Sequence, residues 1–133
     1  MKKQLFQIVI LLSLILTLSA CGGGNKAKIN VEMTDAGYVP AQFTVPAGAE
    51  VTLVVKNTGL LEHEFAIMDK DYKVDPPFGD KDESHIYWEL EQVEAGTTKT
   101  GTFTAPTEPG DYEVVCGLQG HIERGMVGTL TVK

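Results

Sequence analysis

Three side chains with metal-binding chemistry lie close together near the C-terminus. Cys116, His121 and Met126 occur as C-x4-H-x4-M, so a thiol, an imidazole and a thioether are separated by two short loops. Each has a simpler explanation when taken alone: a buried free cysteine behaves as a small apolar residue, a histidine can sit on a turn, and methionine fills irregular gaps in cores. The three together, in this order and spacing, predict a metal site.

The softness of these ligands indicates which metal the site would bind. Thiolate and thioether groups favour Cu(I), while imidazole also suits Cu(II), so a set that accepts both oxidation states favours one-electron transfer. Zinc would prefer a fourth strong ligand to a thioether. Iron–sulfur clusters need more thiolates, and haem attachment needs a C-x-x-C-H run that this sequence does not contain. We therefore predict one copper ion.

A second imidazole must come from elsewhere in the chain, which has three histidines. His63 alternates with Phe65 and Ile67 along a predicted strand, so its side chain is expected to point inward and to close the site. A hydrogen-bonded core histidine is the alternative for His63. His85 lies in a polar segment, and we do not expect it to bind metal.

The first 20 residues have the pattern of a secretion signal. Two lysines precede an almost unbroken apolar run from 5 to 18, which is shorter than the roughly 20 residues of a spanning helix. The run ends in Leu-Ser-Ala-Cys, which resembles the lipobox of bacterial lipoproteins, in which the cysteine, here Cys21, is lipidated and becomes the mature N-terminus. A secreted protein cut near Ala20, without lipid, is the alternative.

The expected organisation is a signal peptide at 1–20, a flexible tether at 21–28 and one domain at 29–133. The domain would then be lipid-anchored outside the cytoplasm, at the cell surface or in the periplasm. Lipidation of Cys21 would leave Cys116 without a disulfide partner, because the chain has two cysteines. A free thiol is a liability in an oxidising compartment, and a metal bond would remove it.

The acidic charge of the chain limits its partners. Loss of residues 1–20 removes two lysines and no acid, so 9 basic side chains remain against 18 acidic ones, a formal net charge of −9. Nucleic-acid binding calls for a basic face and is not expected. The acidic surface either keeps the protein soluble or attracts a basic partner.

Short alternating runs beyond the tether predict strands. They are rich in Val, Thr, Phe and Tyr, are separated by turns with Gly, Pro and Asn, and predict an all-β sandwich. The runs are 29–33, 43–45, 51–55, 63–67, 98–104, 112–116 and 126–132. Residues 69–96 break the pattern, since 69–84 is polar and 85–93 fits either a strand or a helix.

These segments resemble the cupredoxins, the small plastocyanin- and azurin-like blue-copper proteins. The likeness covers residues 29–133, and its C-x4-H-x4-M spacing is similar to the longer loops of rusticyanin- and auracyanin-like members. It rests on a few matching stretches: Gly110–Cys116, Gly120-His121, Gly125–Val132, Asn57-Thr58-Gly59 ahead of His63, and Pro46-Ala47-Gly48. Many members have Asn where Glu64 stands, and a common loop proline is absent from 117–120.

The resemblance implies a Greek-key sandwich of about eight strands with one type 1 copper per chain. It implies His63, Cys116 and His121 as equatorial ligands and Met126 as the axial ligand. Both departures from the family bear on the rigidity and the reduction potential of the site.

The expected function is electron transfer by a monomeric, membrane-tethered copper protein that is not an enzyme. The partner would be a redox protein such as a cytochrome or an oxidase domain. It would dock on an apolar rim around His121 that consists of Leu60, Leu61, Leu118 and Ile122. It would be steered there by acidic residues, namely Asp80, Asp82, Glu83 and Glu123. The alternative is a protein that holds or delivers copper without redox turnover. A multicopper enzyme would need histidines beyond His85.

Overall fold

The computed structural model describes residues 24–133. The predicted signal peptide (1–20) and the predicted lipidation site Cys21 lie outside the described residues. The described chain forms nine strands and one short helix. In chain order they are β1 (Lys26–Thr34), β2 (Gly37–Val39), β3 (Gln42–Val45), β4 (Glu50–Asn57), β5 (His63–Met68), α1 (Asp80–Glu83), β6 (Ile86–Val93), β7 (Thr98–Thr104), β8 (Gly110–Val115) and β9 (Val127–Val132).

The strands form two sheets, in the order β2-β1-β4-β7 and β3-β9-β8-β5-β6. β1 pairs with β4, and β3 with β9, in parallel, whereas the other pairs are antiparallel. The predicted all-β sandwich is therefore confirmed, with nine strands in place of about eight. The additional strand is β2, in which Tyr38 alone is buried, so no pair of alternating apolar residues marks it.

One boundary differs from the sequence-based expectation, and one segment that fitted two kinds of element is resolved. β1 begins at Lys26, inside the segment expected to be a tether, because its parallel pairing with β4 already starts with Lys26 opposite Glu50. Within the segment 85–93, which fitted either a strand or a helix, residues 86–93 form β6, which pairs with β5.

The main core lies between the two sheets. β4 shows the expected period of two, since Val51, Leu53 and Val55 are buried on one face. Full burial of a side chain of this size stabilises the fold by roughly 1.5–3 kcal/mol. This core fixes the positions of β5, β8 and β9, which lead into the ligand residues predicted from the sequence.

A second apolar cluster covers the outer face of β5. It consists of Ala66, Met68, Val115 and Ile122, with Tyr72, Val74, Phe78, Ile86 and Val127 packed against it. β5 is therefore buried on both faces after Glu64, and its alternation stops there. The segment 69–86 is thus a cover for the sheet, which explains why its own pattern differs from that of a strand.

The cover is held by polar contacts around α1. The Tyr72 hydroxyl donates to an Asp82 carboxylate oxygen (2.7 Å), and the Gly79 amide donates to the other (2.9 Å). His85 stacks on Tyr72, with ring centroids 3.9 Å apart, and lies 3.4 Å from Asp69.

No helix among residues 24–133 has the length and the apolar character needed to cross a bilayer.

Candidate metal centre

Strand ends bring three predicted ligand residues together at one edge of the sandwich. His63 is the first residue of β5, Cys116 follows the last residue of β8, and His121 lies in the loop between β8 and β9. Antiparallel pairing of β5 with β8, which sets Ala66 opposite Val115, places the start of the one strand beside the end of the other. Tyr112 and Val114 on β8 are buried as predicted. Cys116 continues the same face of the strand, and its side chain is also buried in the core.

The donor atoms of these residues converge on one point. His63 Nδ1 lies 3.1 Å from His121 Nδ1, which lies 3.2 Å from Cys116 Sγ, and one donor atom from each residue lies within 4.8 Å of the other two. All three residues are buried, and Cys116 is a free thiol. One thiol and two imidazoles suit copper. His63, Cys116 and His121 are thus positioned to bind one copper ion.

The electrostatics of Cys116 and His121 favour the neutral form of both groups before metal binds. Burial raises the pKa of the Cys116 thiol to about 11, although backbone hydrogen bonds from Leu118 and Glu64 act in the opposite direction. Burial lowers the pKa of His121, and the neighbouring His63 lowers it further. Neutral imidazoles are the form that binds metal, whereas the thiol must release its proton to the solvent when metal binds.

Backbone hydrogen bonds close the loop that carries Cys116 and His121. The Cys116 amide donates to the Met126 carbonyl (3.2 Å), and the Met126 amide donates to the His121 carbonyl (3.1 Å). Gly125 makes the turn before Met126 with φ +102, a conformation that favours glycine. Met126 is fully buried just before β9. Its role as the axial ligand remains a prediction.

Asp35, in the turn between β1 and β2, is a contact of the site that the sequence did not indicate. Its Oδ1 lies 3.1 Å from His63 Nε2, on the side of the ring away from His121. It also accepts hydrogen bonds from the amides of Leu60 and Leu61. The Leu60 amide contributes most to a lowered pKa of Asp35, and burial acts against it. An acidic residue in a turn is common, so no local signal sets Asp35 apart.

Asn57 organises the segment that leads into His63. Its Nδ2 donates to the carbonyls of Leu61 (2.7 Å) and Val93 (2.8 Å), and its Oδ1 accepts from the Gly59 amide (2.9 Å). The resemblance to cupredoxins implies an asparagine directly after the histidine, and Glu64 stands there in this chain. Here Asn57, six positions before His63, and Asp35 hold the segment 58–62.

The predicted apolar rim is only partly correct. Leu60 is 87% exposed and Leu61 40%, whereas His121 is only 7% exposed. Leu118 is partly buried against the main core. Ile122 was predicted at the rim, and this is wrong: it is buried in the second apolar cluster, because the segment 69–86 covers it.

An acidic groove of about 750 Å³ lies beside the metal centre, on the outer face of β5 and β6. It begins at Glu64 and Gly117. The Glu64 amide contacts the Cys116 sulfur, and Gly117 follows Cys116 in the chain. Its other carboxylates come from the α1 segment and from β6: Asp80, Glu83, Glu89 and Glu91. The prediction that Asp82 contributes surface charge is wrong, because its side chain is buried against Tyr72 and Gly79.

In both sequence and fold, the chain is similar to proteins of the cupredoxin type. A family profile described as a cupredoxin-like domain matches residues 7–132. A copper-resistant cuproprotein, CopI of Rubrivivax gelatinosus, is 29% identical over 84% of this chain and 71% of its own. The dithionite-reduced auracyanin of the photosynthetic bacterium Roseiflexus castenholzii superposes with a TM-score of 0.68 and 27% identity, over 84% of this chain and 99% of auracyanin.

The same fold also occurs within a larger protein. The multicopper oxidase mgLAC superposes with a TM-score of 0.59 over 81% of this chain but only 39% of the oxidase, at 18% identity. This likeness concerns the fold alone.

Proposed function

This chain belongs to the cupredoxin-like domain family, and from that premise we propose that it carries single electrons between redox partners through one type 1 copper site. The observation that supports the proposal most strongly is that donor atoms of His63, His121 and Cys116 converge within 4.8 Å of one another. Met126 would add the weak axial thioether that this class of site contains.

Bound copper would supply a one-electron couple, and the chain's contribution is a rigid donor set. Cys116 and His121 are held in one loop by backbone hydrogen bonds at Met126. His63 is held by β5 on one side and by Asp35 on the other. A buried donor set that is fixed before the metal binds keeps its geometry in both oxidation states, which favours rapid exchange.

The partner would dock where the site comes nearest to the surface. Leu60 and Leu61 are exposed next to the ligand His63 in sequence, and exposed apolar side chains that lie together mark docking surfaces. Carboxylates of the acidic groove would steer a basic partner, such as a cytochrome or an oxidase domain. This steering would weaken with salt, because the Debye length shrinks to about 8 Å at physiological ionic strength.

We place the protein outside the cytoplasm as a monomer anchored by lipid on Cys21. The anchor would keep the domain at the membrane, because residues 21–25 ahead of β1 reach at most about 18 Å when fully extended. The test is incorporation of labelled palmitate into the full chain in a bacterial host. The label should be lost in Cys21→Ser, and equal labelling of both chains would contradict the anchor.

Copper handling without redox turnover is the second candidate. The relative CopI, a copper-resistant cuproprotein, favours it. The same ligands would serve, but the copper would exchange readily with small chelators and would show no reversible couple. An enzyme of the multicopper type is not proposed, because a second all-histidine centre cannot be built from His85 alone.

Stopped-flow mixing of the copper-loaded protein with a soluble cytochrome tests electron transfer. We expect rapid exchange that slows as salt rises, together with a reversible couple in voltammetry. An absent couple, combined with fast removal of copper by a chelator, would favour copper handling instead.

A further inference from the structure

We propose that Asp35 is a positioning residue for the metal centre: its carboxylate fixes the His63 imidazole in the tautomer that leaves Nδ1 free for metal, and it places a negative charge behind that ligand. The inference rests on the proposed copper function and deepens it by naming a residue that sets the affinity and the reduction potential.

The contact between Asp35 and His63 determines which ring nitrogen carries the proton. A neutral imidazole has one N–H group, and an ionised carboxylate can only accept hydrogen bonds. With Asp35 Oδ1 at 3.1 Å from Nε2, the proton lies on Nε2 and is donated to Asp35. Nδ1 then keeps its lone pair, and this atom faces the His121 and Cys116 donors. His63 is fully buried, so water does not compete for either nitrogen.

The carboxylate is itself held in place by the segment that leads into His63. The Leu60 amide donates to both oxygens of Asp35, each at 3.0 Å, and the Leu61 amide donates to Oδ1 at 3.1 Å. A side chain at Gly59 would prevent this approach, since its Cβ would lie 2.2 Å from Asp35 Oδ1. The orientation of Asp35 is therefore fixed by the same backbone that delivers the ligand.

The negative charge should act on the metal as well as on the ring. A carboxylate hydrogen-bonded to a ligating histidine orients the ring and raises the basicity of the ligand. Such a ligand stabilises the more highly charged oxidised metal, so it tightens Cu(II) binding and lowers the reduction potential. Asp35 is 37% exposed, so solvent weakens this effect without removing it.

Three variants separate these effects: Asp35→Ala, Asp35→Asn and a matched control, Glu32→Gln. Asparagine keeps an oxygen acceptor but loses the charge. Glu32 lies on β1 and accepts a hydrogen bond from the Thr58 hydroxyl (2.7 Å). Like Asp35, it is an acidic residue that holds the segment 58–62. Its hydrogen bond goes to Thr58 and not to His63.

The measurements are Cu(II) affinity by chelator competition, reduction potential and the Tm of the copper-free protein. Asp35→Ala should weaken Cu(II) binding by about 10- to 100-fold and raise the potential. Asp35→Asn should also raise the potential, with a smaller loss of affinity, and Glu32→Gln should leave both as in the wild type. Wild-type affinity and potential in both Asp35 variants would overturn the inference, as would equal shifts in Glu32→Gln.

NMR of the copper-free wild type tests the tautomer without metal. We expect a slowly exchanging proton on His63 Nε2 and none on Nδ1, and the opposite tautomer would overturn the proposal. A wild type that forms no thiolate–copper centre would refute the proposed function and leave this NMR result standing as the test of Asp35.

Discussion

The backbone amide of Glu64 donates a hydrogen bond to the sulfur of Cys116 across 3.3 Å. This contact joins the start of β5, which carries His63, to Cys116, the residue that follows the end of β8. Because the donor belongs to the backbone, the contact does not depend on the side chain at position 64. Glu64 stands where many cupredoxins have asparagine, and this difference therefore leaves the hydrogen bond between β5 and Cys116 in place.

Glu64→Gln should stabilise the copper-free protein at neutral pH. Burial raises the pKa of Glu64, and the charges of Glu89 and Glu91 raise it further. An acid whose pKa is raised by folding costs stability above that raised pKa, and the cost vanishes below its unfolded pKa of about 4.3. The expected gain is below about 1 kcal/mol at pH 7, since the group is half-exposed, and it should disappear near pH 4.

Urea unfolding of both chains at pH 7 and pH 4 measures this difference. The exposed Glu123→Gln is the control and should change stability at neither pH. A Glu64→Gln chain that is less stable than the wild type at pH 7 would contradict this prediction. It would show that hydrogen bonds to the Glu64 carboxylate outweigh the cost of burying its charge.

Asn57→Ala should destabilise the fold and loosen the approach to His63. The change leaves the carbonyls of Leu61 and Val93 and the amide of Gly59 without their partner. Each unsatisfied buried group costs about 1–3 kcal/mol, so the loss of unfolding free energy should exceed 1 kcal/mol. Asn30→Ala, at an exposed position of β1, is the control and should stay within about 0.5 kcal/mol of the wild type. Equal stabilities of the two variants would contradict the role of Asn57.

Gly59→Ala should push the Asp35 carboxylate away from His63. The new Cβ would lie 2.2 Å from Asp35 Oδ1, so backbone or side chain must shift, at a cost of about 1–3 kcal/mol. Gly79→Ala is the control, because a Cβ there has no neighbour within 4 Å. Thermal unfolding of the copper-free proteins should show a lower Tm for Gly59→Ala alone. A wild-type Tm in that variant would show that Asp35 is not held as tightly as its contacts indicate.

Leu60→Gln should slow electron exchange with a partner without changing the site itself. Leu60 is 87% exposed, so its replacement removes docking area but no core packing. The second-order rate constant in stopped flow should fall, while the Tm and the reduction potential stay at wild-type values. Val39→Gln, at another exposed apolar residue (56%), is the control. Equal rates for Leu60→Gln and the wild type would place the docking surface elsewhere.

The ligand cluster was predictable because its signals are local. The C-x4-H-x4-M spacing puts Cys116 and His121 in one loop, and alternation along β5 points His63 inward. The structure brings these three residues together. The all-β architecture followed in the same way from short runs with a period of two.

The remaining features depend on contacts that are distant in sequence. Asp35 meets His63 across 28 positions through a turn that resembles any other polar turn. Asp82 and Ile122 are buried because the segment 69–86 folds over the outer face of β5, and no periodicity within that segment reports what it covers. β2 escaped detection because Tyr38 is its one buried residue, and a single buried residue shows no alternation.

The visible absorption spectrum of the oxidised, copper-loaded domain tests the central claim most directly. We predict an intense blue or green thiolate-to-copper band that is lost in Cys116→Ser, because this band requires the cysteine sulfur on the metal. A colourless wild-type protein that takes up zinc but gives no such band with copper would contradict the account.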